Sequence, residues 1–284
     1  MISVIIPTYN RRAALYRAVE SVVNQSYKVD EIIIVDDYSI NMPLLEDFKN
    51  LAFQNISLYS NENPSGANFS RNFGVSKATG DIVMFLDDDD TWEKDKVKNQ
   101  MAIFDSDSEI GLVYSSKVVV NDKDRDTDLR YIRNTLGGDL SKKIFKRNWI
   151  GSTSCAAVRK NVFNQVGGFD VEMPSMQDYD LWIRLCQVTK VGCDENIGLR
   201  YTIYDDVSKQ MTGQYERHER TVLRFKEKYA DVPTRLRRAL LSNICFSCAK
   251  SIAKARNMRF LKYAMKSFVY KPNLRVFGIL FVVR

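Results

Sequence analysis

Apolar residues along the chain alternate between two spacings. Residues 2–6 (I-S-V-I-I) form a short, β-branched run closed by Pro7, which predicts a buried strand. Leu15, Ala18, Val19, Val22 and Val23 then fall at i, i+3, i+4, i+7 and i+8, one face of a helix, with Asn10 as its expected cap. The alternation continues. A strand is predicted over 32–35, ending in Asp36-Asp37, then a short helix over 43–51 and a strand over 56–59. A helix over 66–78 includes Phe69, Phe73 and Val75, and a strand over 82–86 runs into Asp87-Asp88-Asp89-Asp90. A helix over 94–104 and a strand over 112–120 complete the series. Strands alternating with helices predict right-handed crossovers and a mainly parallel sheet. Strands without polar alternation predict helices on both of its faces.

Beyond residue 120 the pattern loosens. Residues 121–128 are polar and read as an exposed loop, 152–158 as a further strand, and Gly167-Gly168 as a turn. Residues 178–188 read as a helix with Leu181, Trp182 and Leu185 on one face. From residue 215 onward the chain reads as helical, with 236–255 and 258–270 resembling a helical hairpin. Two regions follow: 1–215, with halves at about 1–120 and 121–215, and a helical region over 216–284.

Charge sharpens that division. Residues 1–216 carry 25 Lys and Arg against 32 Asp and Glu; residues 217–284 carry 17 against 3. A basic tail on an acidic body suggests an anionic surface as its partner. With 284 residues the chain can bury a full core without disulfides. Its five cysteines, Cys155, Cys186, Cys193, Cys245 and Cys248, are odd in number and irregular in spacing. Cys245 and Cys248 share a helix face and read as core. No apolar run approaches the roughly 20 residues of a bilayer-spanning helix. No basic segment precedes an apolar one at the N-terminus, so a cytoplasmic protein is expected.

The chemistry is expected where the strands end. In an open parallel sheet, ligands bind outside the carboxyl ends of the strands. Here those ends carry Pro7-Thr8-Tyr9-Asn10, Asp36-Asp37 and the four successive aspartates. Adjacent carboxylates repel one another, and a divalent cation shared with substrate phosphates relieves that repulsion. An extended chain would put Asp87 and Asp89 on one side. Neither a P-loop nor a G-x-G-x-x-G segment is present, so kinase, GTPase and dinucleotide-dehydrogenase modes of phosphate binding are excluded.

Over about residues 1–205 the sequence resembles the family 2 glycosyltransferases of the GT-A fold, an α/β architecture with a Rossmann-like sheet. The resemblance rests on S-V-I-I-P-T-Y-N-R at 3–11, I-V-D-D at 34–37, G-A-N-F-S-R-N at 66–72, G-D at 80–81 and F-L-D-D-D-D at 85–90. G-G-F-D at 167–170 and Q-D-Y-D-L-W-I-R-L at 177–185 follow. It implies a metal-dependent, inverting transfer from a UDP-sugar. Pro7, Thr8 and Tyr9 would line the uracil pocket, Tyr9 by stacking; Asp37 would hydrogen-bond the base. Arg11, Asn68 and Arg71 would help hold the nucleotide, and Asp88 would face the ribose or the donor sugar. Asp87 and Asp89 form the Asp-x-Asp motif on Mn²⁺ or Mg²⁺, Asp89 as the direct ligand. Asp178 matches the catalytic base, preceded by Gln177 where the family often has Glu. Asp178 also suits the first turn of a helix, and the two roles can coexist.

Four further positions remain, three of them read two ways. Trp182 follows Asp178 by one turn and stands beside the acceptor or in the core, with the core favoured. Trp149, with Ser152-Thr153-Ser154, lines the acceptor side or forms a structural turn. Gln177 is placed with the acceptor. His218, in R-H-E-R, completes the metal site or lies solvated on a charged helix, with the latter favoured. The tail's mix of Arg and Lys with Leu240, Leu241, Ile244, Phe246, Ile252, Phe260, Leu261, Met265 and Phe268 suits an interfacial helix on an anionic leaflet, or else an ordinary helical cap with a solvated basic face. No base-stacking or groove-reading feature points to nucleic acid. By analogy with membrane-docked relatives, the expected acceptor is a saccharide on undecaprenyl diphosphate. The setting is then O-antigen or capsule synthesis on the inner face of the cell membrane. The rival readings are a sugar-phosphate nucleotidyltransferase, whose Gly-rich loop after the first strand is absent, and a non-catalytic nucleotide-sugar-binding module.

Overall fold

A computed structural model of the chain describes residues 1–205, 215–254 and 257–281. They form two compact units. The first comprises Met1–Leu140, Trp149–Val171 and Asp178–Ile203; the second comprises Ser141–Asn148, Glu172–Gln177 and Tyr204–Arg284. The sequence places its boundary after residue 215, whereas the second unit begins at Tyr204 and takes in two short upstream segments.

The first unit is built on a nine-stranded sheet. Its leading strands are β1 (Ile2–Thr8), β2 (Glu31–Asp36), β3 (Ile56–Ser60) and β4 (Ile82–Phe85). They lie parallel in the order β3-β2-β1-β4, with Ile5 paired to both Ile33 and Phe85. Every residue of β1, β2 and β4 is buried, as expected for a sheet covered on both faces. The covering helices include α1 (Arg12–Val23) and α2 (Ala67–Lys77), joined further on by α3 (Lys96–Ser106). The buried side of α1 is Leu15, Ala18, Val19, Val22 and Val23, the set its spacing predicts.

The far half of the sheet is mixed. Thr91–Trp92 forms the short edge strand β5, Ile110–Asn121 the long β6, Asp128–Ile132 β7, Ala156–Arg159 β8 and Lys190–Ile203 β9. β8 runs antiparallel between β4 and β6, with Val158 paired to Val83 on one side and Leu112 on the other. β9 pairs parallel with β6, and β7 pairs antiparallel with β6. α4 (Lys160–Gln165) leads to the Gly167-Gly168 turn, both glycines at positive φ, and α5 (Gln177–Leu185) follows.

Several local expectations need correction. Asn10 does not cap α1. It sits at φ 55°, and its side-chain oxygen instead accepts the Ile40 N–H at 2.9 Å, tying the loop after β1 to the loop after β2. The short helix expected over 43–51 is a 3-10 turn, Leu45–Phe48. The strand expected over 152–158 opens as a 3-10 turn at Thr153–Cys155 before β8. β7 and β9 have no counterpart in the sequence reading.

The second unit contains α6 (Tyr215–Lys228), α7 (Thr234–Lys254) and α8 (Phe260–Tyr270). The last two form the expected hairpin, with Ser242 and Ser267 each donating a hydroxyl to the other's carbonyl at 2.8 Å. Cys245 and Cys248 are fully buried and free. Burial pushes both thiols well above the usual range, which makes them inert core groups. No helix of the described residues is long and apolar enough to cross a membrane.

Candidate active site

The carboxyl ends of β1, β2 and β4 bring three loops together. At the end of β1, Pro7 and Thr8 are buried while Tyr9 remains half exposed. At the end of β2, both Asp37 oxygens are engaged. Oδ1 accepts from Asn61 Nδ2 at 2.7 Å and the Ser65 N–H at 2.8 Å, and Oδ2 accepts the Gly66 N–H at 2.8 Å. Asp37 thereby fixes the entry to α2. A carboxylate has about four acceptor positions, so capacity remains on Oδ2.

After β4 the four aspartates do not run extended. The Asp90 N–H donates to the Asp87 carbonyl at 3.0 Å, closing a turn, so the alternation argument for Asp87 and Asp89 does not apply. The turn gives each carboxylate its own set of partners, with Arg11 shared between Asp88 and Asp89, which relieves part of the repulsion. Asp87 meets Arg71 Nη2 at 2.6 Å and the Thr153 hydroxyl at 3.2 Å. Asp88 accepts the Thr8 hydroxyl at 2.7 Å. Arg11 Nη1 lies 3.2 Å from Asp88 and 2.6 Å from Asp89. Asp90 is buried on the Ser154 hydroxyl at 2.7 Å and the Thr202 N–H at 2.9 Å. Burial, reinforced by Asp89, pushes the Asp88 carboxyl up to about 6 despite Arg11 and Thr8. Asp90 is pushed well above the usual range, first by burial and then by Asp89 and Asp87.

Arg71 is delivered by α2 and is only 4% exposed. Its guanidinium lies 5.3 Å from the Phe169 ring centroid. Nη2 is spent on Asp87, whereas Nε and Nη1 are buried without a hydrogen-bond partner. Two orphaned cationic donors suit an anion chemically. Asn68, on the same helix, donates to the Asp170 carbonyl at 2.9 Å and has an unpartnered buried side-chain oxygen. Phe169 is itself clamped by Asn72, which accepts its N–H at 2.9 Å and donates to its carbonyl at 2.8 Å.

Asp178 stands at the head of α5, where its carboxylate accepts the Tyr179 N–H at 2.7 Å. Burial raises its pKa to about 6; that N–H, Lys117 and Arg71 pull it down, and Asp87 adds to the rise. Asp178 thus shares one electrostatic neighbourhood with the Arg71–Asp87 pair. Arg184 holds α5 in place through Asp180 at 2.7 Å and the Val166 and Gly168 carbonyls, each at 2.7 Å.

Some expected residues lie elsewhere. Trp182 is fully buried, and its indole N–H donates to the Gly151 carbonyl at 2.9 Å. It therefore anchors α5 rather than touching an acceptor. Its bond nonetheless shapes the loop that carries Trp149, which is partly exposed, as is Gln177. His218 is not solvated: it is 2% exposed on α6, with the Cys248 thiol donating to its carbonyl. Among the described residues no group of three or more His, Cys, Asp or Glu side chains is arranged to hold a metal ion. A hard cation held by one or two carboxylates and completed by substrate phosphates needs no such group. The Asp87 and Asp89 side chains are 28% and 18% exposed, so two hard oxygen donors are present that fit such a cation.

Other side chains join the site without a sequence signal. Lys117 on β6 places its ammonium 4.1 Å from the Tyr201 ring centroid on β9. Arg125 reaches in from the loop after β6 and donates to the Asp89 carbonyl at 3.0 Å and the Thr202 hydroxyl at 2.7 Å. Neighbouring aromatic and basic residues are common in strands and loops, so only the β6–β9 pairing reveals these two.

The mixed sheet with its flanking helices, and the acidic turn at its edge, matches the GT-A glycosyltransferase fold. The chain belongs to glycosyl transferase family 2, whose sequence model matches residues 3–167. It is 30% identical over 191 residues to an uncharacterized glycosyltransferase of Haemophilus influenzae, covering 66% of this chain and 62% of that one. It is 29% identical over 192 residues to the amylovoran biosynthesis glycosyltransferase AmsB of Erwinia amylovora, covering 64% and 62%. The chain spans 36% of a longer Rickettsia felis relative. Among solved structures, Staphylococcus aureus TarS 1-349 in complex with UDP-GlcNAc matches with a TM-score of 0.69 at 17% identity, covering 98% of this chain and 83% of that one. The mannosyltransferase PcManGT of Pyrobaculum calidifontis, in complex with GDP-Man and Mn²⁺, matches with a TM-score of 0.60 at 16% identity, covering 98% and 78%. These two likenesses establish the fold.

Proposed function

We propose that the chain transfers a sugar from a UDP-sugar to a hydroxyl of a saccharide carried on undecaprenyl diphosphate, with inversion, during assembly of a surface polysaccharide. The observation that carries this reading is the buried Arg71, paired with Asp87 of the acidic turn and keeping two donors without a hydrogen-bond partner. Pro7, Thr8, Tyr9 and Asp37 line the base and ribose end. Asn68 and Arg71 take the diphosphate, and Arg71 has two donors to give. Asp88 faces the ribose or the donor sugar. Asp89, with Asp87, would hold Mn²⁺ or Mg²⁺, which when bound would supply a Lewis acid for the departing diphosphate.

Asp178 takes the proton from the acceptor hydroxyl as that oxygen attacks the anomeric carbon and the bond to the diphosphate breaks on the opposite face. The anomeric centre passes through an oxocarbenium-like state, as in glycoside hydrolysis. The fixed charges of the acidic turn and the arginines are in place before reaction, so little reorganisation is needed. Polysaccharide assembly is supported by the relatives named for amylovoran and teichuronic acid biosynthesis. The donor class is supported by the neighbours that hold UDP-GlcNAc and GDP-Man.

A lipid-linked acceptor also suits the second unit. α8 buries Phe260, Tyr263, Ala264 and Ser267 and leaves Leu261, Met265, Phe268 and Val269 exposed, among Lys262 and Lys266. A second apolar stripe flanked by lysines suits peripheral binding to an anionic leaflet on the cytoplasmic side.

The test is nucleotide release from a panel of UDP-sugars and GDP-mannose with Mn²⁺, given an undecaprenyl-diphosphate-linked sugar, for wild type and Asp178→Asn. Metal-dependent release by wild type that Asp178→Asn loses, with UDP still bound, supports the reading and identifies the donor. Equal release by both proteins removes Asp178 as the base.

A further inference from the structure

A second short turn, Thr153–Cys155, lies against the acidic one. Asp87 and Asp90 close their own turn through the Asp90 N–H and the Asp87 carbonyl. A single hydroxyl from the second turn spans the same two residues. Ser154 Oγ accepts the Asp87 N–H at 3.0 Å and donates to Asp90 Oδ2 at 2.7 Å. The neighbouring Thr153 hydroxyl lies 3.3 and 3.2 Å from the two Asp87 oxygens. Ser154 and Asp90 are buried, whereas the Asp87 and Asp89 side chains keep some exposure. Ser154 is itself held from behind. The Trp92 indole N–H donates to its carbonyl at 3.0 Å. Gln100 Nε2 at 2.8 Å and the Lys96 ammonium at 3.3 Å donate to the next carbonyl, that of Cys155. Trp92, Lys96 and Gln100 are all buried, and the ammonium stands 4.6 Å from the Trp92 ring centroid.

Four successive carboxylates repel one another, and that repulsion favours an opened, extended chain over a closed turn. The Ser154 hydroxyl ties the two ends of the turn together without adding a charge. Its own place is set by α3 and β5, through two carbonyls that touch no carboxylate. Groups that fix the orientation of metal-binding carboxylates contribute to metal affinity although they never touch the metal. We propose that Ser154 is a positioning residue of the transfer site, its hydroxyl holding the turn closed so that Asp87 and Asp89 are presented together to a divalent cation and a nucleoside diphosphate. This inference rests on the reading of Asp87 and Asp89 as the ligands of that cation. Asp90, beneath the turn, is then a partner of Ser154 and of the Thr202 N–H rather than a third ligand.

The test is UDP binding to the full chain by calorimetry across a series of Mn²⁺ concentrations. The quantity read is the Mn²⁺ concentration at which half of the gain in UDP affinity is reached. Ser154→Ala removes one oxygen and no charge, and is expected to raise that concentration about tenfold. Ser154→Cys keeps the shape with a much weaker hydrogen-bonding group, and is expected to raise it as well. Ile244→Ala, a truncation in the buried side of α7, is expected to lower the melting temperature and leave the Mn²⁺ concentration unchanged. Should both Ser154 variants respond to Mn²⁺ like wild type while Asp89→Asn no longer responds, the positioning role is overturned and the metal-ligand reading stands. An equal rise in Ile244→Ala would also overturn it, since general loosening would then account for the effect. Should Asp89→Asn respond like wild type, or wild type not respond at all, Asp89 holds no cation and both fall.

Discussion

At the residue scale, the base role proposed for Asp178 combines two requirements that oppose each other. A general base must be ionised at the working pH, yet basic enough to take a hydroxyl proton. Burial raises its pKa to about 6, while the Tyr179 N–H, Lys117 and Arg71 keep it from rising further. The turnover rate is accordingly expected to rise with pH through about 6 and then level. Asp178→Asn is expected to remove that limb and lower the rate by about 10²–10⁴-fold. A pH–rate profile at saturating donor checks both. The same shift has a stability consequence. The folded state holds this proton more tightly than the unfolded chain does, so its contribution falls as pH rises from the ordinary carboxylate range through about 6. Asp178→Asn is therefore expected to stabilise the protein by about 1–2 kcal/mol at pH 7, and by progressively less towards pH 4. Thermal melts at the two pH values measure the difference.

At the element scale, α2 is what carries Arg71 and Asn68 to the sheet edge, and it can do so because it packs unusually close. A Cβ on Gly74 would stand 2.5 Å from Ile5 Cγ2 on β1 and 3.4 Å from Val35 Cγ2 on β2. Gly74→Ala is expected to cost about 1–3 kcal/mol through overpacking. It should also weaken UDP binding, because the helix must lift and take Arg71 with it. Urea unfolding and calorimetric titration with UDP read the two effects; unchanged UDP affinity in a destabilised variant would separate α2 packing from the site. The same elements divide into legible and illegible ones. α1 is written in its own spacing, and its buried side matches it residue for residue. β9 is not. Asp194 accepts both the Asn196 N–H and its side-chain amide, a local turn signal inside the strand, and the β6–β9 register shifts at Ser115 and Ser116. Pairing with a long partner strand overrides what the local chain prefers.

At the scale of the whole molecule, the charge division and the two compact units run along the same chain. The acidic body holds the sheet and its acidic turn; the basic tail forms α6 to α8. Composition names the tail's apolar residues without sorting them. Leu240, Leu241, Ile244, Ile252 and Phe260 are buried, whereas Leu261, Met265 and Phe268 remain exposed, and Val269 joins them. The chain is expected to co-sediment with vesicles containing phosphatidylglycerol and not with pure phosphatidylcholine. Met265→Asp combined with Val269→Asp is expected to weaken that binding at least about tenfold, since two apolar anchors are lost and two repulsive charges gained. Retained binding in the double variant would assign the contact to another face.

The sequence by itself determined the alternating strand–helix plan, the polar strand ends of β1, β2 and β4, and the carboxylate at the head of α5. Each of these is local: a spacing, a run or a motif set by its own residues. Only the tertiary structure decided that the four aspartates turn and part company, and that Trp182 faces inward to Gly151. It also placed Lys117 and Arg125 in the site and buried His218. Those outcomes depend on which distant side chain arrives opposite each group, and so on burial and pairing energies between segments far apart along the chain.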